Sequence, residues 1–137
     1  MQPDLFGNLK DWGPVLEKIC ELAENGKLSE YQPGLTRILS YRDNWRLCEE
    51  TLKRIVDIQN PSDALIRQVL RIIADGNLYY EVRIIACESM AALLMKSGQH
   101  FEKATKTTIP QTVRSLRSIP QPPIFEKALK NLYSVAD

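Results

Sequence analysis

The sequence predicts an all-α protein, and three observations carry that expectation. Apolar residues recur at i, i+3, i+4 and i+7 in nearly every segment, period-two alternation with β-branched clusters is scarce, and Gly, Pro, Asn and Asp fall between segments as starts and stops. The 137 residues amount to about one ordinary domain, taken as a single unit over 1–137, and 44% hydrophobic residues suffice for a real core.

The first helix follows Asp11-Trp12-Gly13, with Pro14 suited to a first turn, and carries Leu16, Ile19, Cys20 and Ala23 on one face before Asn25-Gly26 stops it. A short second helix holds Leu35, Ile38 and Leu39. Pro33 belongs in its early turn, which leaves Ser29 to Gln32 as a separate turn. Asp43 or Asn44 caps the third helix, whose inward stripe is Cys48, Thr51, Leu52, Ile55 and Val56. Its outer face pairs Glu49 with Lys53 and Glu50 with Arg54, acid before base at i, i+4, each pair stabilising by roughly 0.2–0.5 kcal/mol. Asn60-Pro61-Ser62-Asp63 opens a fourth helix with Leu65, Ile66, Val69, Leu70 and Ile73 inward, and Asp75-Gly76-Asn77 closes it.

The fifth helix, Tyr79 to Lys96, carries Val82, Ile84, Ile85, Ala86, Cys87, Met90, Ala91, Ala92, Leu93, Leu94 and Met95. One stripe cannot hold so many, so this helix is expected at the centre, covered on several sides until Ser97-Gly98 ends it. Residues Gln99 to Thr108 include three threonines, which are weak helix formers, and the next helix is expected to start at Pro110 with Val113 and Leu116 inward. The last helix follows Pro120-Gln121-Pro122-Pro123 and carries Phe125, Ala128, Leu129, Leu132 and Tyr133.

These helices repeat. Cys48, Thr51, Leu52, Ile55 and Val56 recur 38 residues later as Ala86, Ser89, Met90, Leu93 and Leu94, and 39 residues further on as Phe125, Ala128, Leu129, Leu132 and Tyr133. Leu16, Ile19, Cys20 and Ala23 form a weaker copy 32 residues before Cys48. One shorter apolar helix lies between successive copies, so the unit is a helix pair and the expected architecture is an α-α superhelix of about seven helices. The segment Ala64 to Met95, ALIRQVLRIIADGNLYYEVRIIACESMAALLM, resembles a HEAT or armadillo-type repeat, with phycobilisome-lyase-type repeats equally compatible. In those families the second helix of a unit opens with a Val-Arg pair followed by small residues and leucines, as do Val82-Arg83, Ala86 and Leu93-Leu94. Trp45-Arg46, Cys48 and Leu52 match in part, while Phe125, Ala128 and Leu129 keep the stripe without the Arg. The competing arrangements are an irregular bundle and a compact superhelical domain of the VHS type.

The resemblance implies work done by binding, although some HEAT-type proteins are DNA glycosylases or chromophore lyases, so fold alone does not exclude chemistry. The residues point away from an enzyme. The lone His100 has no Cys or acidic residue at ligand spacing, and no phosphate loop, nucleophile elbow or zinc-helix motif is present, so no catalytic residue, cofactor or metal is expected. Cys20, Cys48 and Cys87 stand apart among apolar neighbours, as buried reduced thiols would, and no apolar run nears the ~18–20 residues of a membrane span. A cytoplasmic protein with no membrane partner is expected.

Eighteen Lys plus Arg against 17 Asp plus Glu leave a net charge of +1, which gives no strong field for nucleic acid. The charge is nonetheless uneven: residues 1–31 carry −3, residues 32–95 carry 0, and residues 96–137 carry +4. Opposite ends could favour head-to-tail self-association, and Lys103, Lys106, Arg114, Arg117, Lys127 and Lys130 could meet an acidic partner or a phosphate backbone. Nucleic-acid binding stays the alternative because no aromatics interleave with that basic set. The stronger signal is the series of turns before each second helix: Arg42, Trp45 and Arg46, then Tyr79, Tyr80 and Arg83, then Pro122, Pro123 and Phe125. Trp, Tyr and Arg dominate binding hot spots, so Arg42, Trp45, Arg46, Tyr80 and Arg83 are the expected protein-binding residues of a scaffold or adaptor, with one tyrosine of the 79–80 pair turned inward. Arg83 could instead support the turn between its paired helices.

Overall fold

The computed structural model describes residues 4–97 and 101–136, and these form seven α-helices and one 3₁₀ turn with no strand among them. The helices are α1 (Trp12–Glu24), α2 (Gln32–Ser40), α3 (Trp45–Ile55), α4 (Asp63–Ala74), α5 (Tyr80–Ser97), α6 (Lys103–Arg117) and α7 (Pro123–Ala136), with the 3₁₀ turn at Leu28–Tyr31. The protein is all-α. Gly98 and His100 lie outside the described residues.

Packing follows chain order. Helices α1, α3, α5 and α7 touch in that sequence, as do α2, α4 and α6, and the two rows meet where α2 packs on α3, α4 on α5 and α6 on α7. Helix α5 is covered by α3, α4 and α7, which explains its near-uniform apolar surface. Its Val82, Ala86, Cys87, Met90, Ala91 and Leu93 are buried, whereas Met95 is 76% exposed.

The recurring stripe keeps its burial pattern. Cys48, Thr51, Leu52 and Ile55 are buried and Val56 half-buried; Ala86, Ser89, Met90 and Leu93 are buried and Leu94 half-buried. In α7, Phe125, Leu129 and Leu132 are buried while Ala128 and Tyr133 are half-buried. The weaker first copy departs: α1 buries Val15, Ile19 and Leu22, leaving Leu16, Cys20 and Ala23 at the margin. With α3 and the 3₁₀ turn as its main neighbours, α1 is rotated toward them.

Helix α6 starts at Lys103 rather than at Pro110, which sits inside it. Proline removes one backbone donor from a helix interior, yet Thr105, Ile109 and Val113 are buried as α6 packs on α4 and α7, and tertiary burial outweighs the local defect. The threonines also adapt: the hydroxyls of Thr107 and Thr108 donate to the carbonyls of Lys103 (2.9 Å) and Ala104 (2.7 Å).

Polar ties join neighbours across the rows. The Gln32 side chain donates to the Asn60 carbonyl (3.0 Å) and accepts from the Ser62 N–H (2.7 Å), fixing the turn between α3 and α4. Gln68 donates to the Leu39 carbonyl (3.2 Å), and Ser89 donates to that of Leu52 (2.7 Å), each reaching a preceding helix of its own row. At the amino-terminal side, Arg37 grips the Asp4 carboxylate and donates to the Gly7 carbonyl (2.9 Å), and Asp4 accepts from the Phe6 N–H (2.9 Å). Phe6 thereby lies on Gly34, where an added Cβ would sit 2.7 Å from the ring.

Candidate functional site

The turns that precede α3 and α5 are built by short polar residues. Asn44 Oδ1 accepts from the Leu47 N–H at 3.0 Å, so α3 begins abruptly and Trp45, its first residue, projects at 49% exposure. In the next turn Asp75 Oδ1 accepts from the Asn77 N–H at 2.9 Å and half-buried Leu78 anchors the loop. Tyr79 and Tyr80 emerge from it 64% and 42% exposed. Neither tyrosine is buried, which corrects the expected inward orientation of one, because Leu78 takes the anchoring place.

The two turns meet. The rings of Trp45 and Tyr79 lie 6.0 Å apart at 67°, edge to face, and Arg42 Nη2 approaches Asp75 Oδ2 to 3.4 Å. Beside the ring pair opens a cleft of about 490 Å³ lined by Trp45, Glu49, Tyr79 and Glu81. The expected pairing of Glu49 with Lys53 does not form; Lys53 reaches Glu50 instead, at 3.5 Å. Glu50 and Arg54 are likewise apart in function, since Arg54 Nη2 points at Cys20 Sγ, 3.5 Å away.

Of the residues expected to bind a partner, Arg42, Trp45, Arg46 and Tyr80 are exposed. Arg83 is not: it is 4% exposed, and its place among surface anchors is corrected here. Its Nε donates to the Ile73 carbonyl at 2.9 Å, and its guanidinium carbon lies 4.5 Å from the Phe125 ring and 5.2 Å from that of Tyr80. The cation thus closes the end of α4, where unmet carbonyls concentrate, in keeping with its alternative role as support for the turn. The 38-residue offset that aligns the helical stripes sets Arg83 against Trp45 rather than Arg46, so the two Arg positions have different surroundings. Tyr80 leans on Phe125 with centroids 5.4 Å apart, carrying the edge toward α7, where Ile119 and Ile124 are also exposed.

Tyr79 stood in the turn series but not among the expected binding residues, and Glu49 and Glu81 were not singled out: Glu49, with Lys53 at i+4, looks like half of an ordinary solvated pair. Of the carboxy-terminal basic residues, Arg114 donates to the Tyr133 hydroxyl (2.9 Å) and Arg117 to Glu126 (2.8 Å), so these two are engaged locally. Burial pushes the Cys48 thiol up to about 11, against the opposing pull of Arg42, and that of Cys87 up to about 12, against Arg83. Among the described residues no group of three or more His, Cys, Asp or Glu could hold a metal, and no helix is long and apolar enough to cross a membrane. Comparison with family models, curated proteins and solved structures finds no match to this chain.

Proposed function

We propose that the protein is a non-catalytic interaction scaffold, a HEAT- or armadillo-like stack of helix pairs that binds another polypeptide along its turn edge. The observation that carries this reading is the convergence of Trp45 and Tyr79 from successive turns on one open cleft. Two exposed rings held at contact distance are well ordered before a partner arrives, so less side-chain freedom is lost on binding. The helix-to-helix contact order, in which the main contacts of each helix are with its row neighbours and its pair, supports the repeat arrangement. Arg42, Arg46 and Tyr80 extend the same edge.

The test is affinity capture from native extract followed by titration of the purified partner, comparing wild type with Trp45→Ala/Tyr79→Ala. Loss of about 30-fold or more in affinity, the scale of removing a hot-spot anchor, with an unchanged melting temperature is the expected result. Equal affinity would remove the edge from the binding site. Salt-sensitive retention of duplex DNA, abolished by neutralising the basic residues of α6 and α7, would move the assignment to nucleic acid.

A further inference from the structure

The cleft beside Trp45 has a charge as well as a shape. Among the described residues its lining is two aromatic rings and two carboxylates. Among the described residues neither Glu49 nor Glu81 is in an ion pair: Lys53 turns to Glu50 at 3.5 Å, and Arg42 turns to Asp75 at 3.4 Å. Arg42 and Arg46, which flank Trp45, do not line the cleft, and Arg54 and Arg83 are engaged at Cys20 and Ile73. Two carboxylates without an ion-pair partner among the described residues thus stand beside exposed ring surfaces.

Aromatic rings present a negative face, and a cation seated over one gains more when it is partly withdrawn from water. The T-shaped setting of Trp45 and Tyr79 makes a corner rather than a flat platform. A guanidinium suits such a corner better than an ammonium, because it can stack flat on one ring while its edge N–H groups reach carboxylates. The same molecule already seats one arginine on aromatic faces, Arg83 over Phe125 and Tyr80, although that one is buried.

We propose that this cleft receives an arginine side chain from a basic polypeptide segment of the partner. The proposal rests on the scaffold reading above and names the chemistry of its partner. Trp45 and Tyr79 supply the stacking faces, and Glu49 and Glu81 supply charge and hydrogen-bond acceptors. Binding is therefore salt-dependent at a site that is otherwise aromatic.

The full chain is titrated with a nine-residue peptide of alternating Ser and Arg, and with the same peptide carrying citrulline, which keeps the shape of Arg without its charge. Affinity is read by calorimetric titration in every variant, and the indole N–H resonance of Trp45, assigned with Trp45→Phe, locates the bound peptide in wild type. Saturable binding of the Arg peptide is expected, with the citrulline peptide weaker by about tenfold or more. Trp45→Ala weakens binding by about tenfold, Trp45→Phe keeps it within about threefold, and Glu49→Gln/Glu81→Gln weakens it by about fivefold or more and flattens its salt dependence. Glu17→Gln/Glu24→Gln, an equal charge change on exposed α1 positions, leaves it unchanged. Equal binding of the two peptides, absence of saturable binding, or wild-type affinity in Glu49→Gln/Glu81→Gln overturns the proposal. If the partner still needs Trp45 and Tyr79 but tolerates Glu49→Gln/Glu81→Gln, the scaffold reading stands and the arginine proposal alone fails.

Discussion

The guanidinium of Arg83 is sandwiched between chemistry it does not normally share with a core: its central carbon lies 4.5 Å from the centroid of the Phe125 ring while its Nε holds the Ile73 carbonyl at 2.9 Å. One side chain on α5 thus ties the end of α4 to the start of α7. No carboxylate pairs with it among the described residues.

Arg83→Ala should therefore behave as a core deletion. It leaves the Ile73 carbonyl without its partner and removes the packing of the side-chain stem, for a combined loss of about 2–4 kcal/mol in urea unfolding. Arg83→Lys keeps the charge but not the planar stack, and should recover less than half of that loss. A cost below about 1 kcal/mol for Arg83→Ala would show that the contact is incidental.

Leu93, fully buried on the helix that α3, α4 and α7 cover, tests the centre of the molecule. Leu93→Ala should cost about 2–5 kcal/mol, the range for truncating a buried leucine. Met95→Ala, two residues on at an exposed position, should stay within about 0.5 kcal/mol of wild type.

Gly34 is required by approach rather than by backbone angle. A methyl there would meet the Phe6 ring at 2.7 Å and Asp4 Oδ1 at 3.0 Å, so Gly34→Ala should displace residues 4–9 from α2. The gain in helix propensity, up to about 1 kcal/mol, is outweighed by the loss of buried Phe6 and Leu9, for a net cost of about 1–3 kcal/mol. Faster hydrogen exchange of the Phe6 amide checks the displacement; a raised melting temperature would refute it. Acid should loosen the same segment. The hydrogen bond from Arg37 holds the Asp4 carboxyl below its ordinary 3.8, so its contribution is present above 3.8 and lost as pH falls through the lower folded value.

Alkaline pH acts on the buried thiols. Burial raises Cys48 from 9.0 to about 11 and Cys87 from 9.0 to about 12, so between those values the unfolded chain releases protons that the folded chain keeps. Stability is unaffected by these groups below pH 9.0 and declines above it, by about 1.4 kcal/mol per pH unit per thiol, until each folded thiol ionises. Cys48→Ala/Cys87→Ala should show a shallower fall of stability between pH 9 and 11 than wild type. Equal slopes in the two proteins would contradict the burial assigned to the sulfurs.

The helices and most of their inner faces were legible along the chain, because the 3.6-residue period and the caps at Asn44 and Ser62 act locally and are written residue by residue. The 38- and 39-residue recurrence likewise marked the positions that α3, α5 and α7 bury in common. Tertiary structure decided what depends on neighbours distant in the chain. It carried α6 through Pro110 because packing on α4 and α7 buried Thr105, Ile109 and Val113, and it turned α1 to bury Val15 and Leu22. It sent Arg83 inward to the Ile73 carbonyl and left both tyrosines of the 79–80 pair outside. It also turned Arg54 to Cys20 on α1, 3.5 Å away, whereas Lys53 paired with Glu50 inside α3 and Glu49 lines the cleft with Trp45 and Tyr79. Spacing along a helix fixes which side chains share a face, but the partner that a long charged side chain takes depends on which helix is packed beside it.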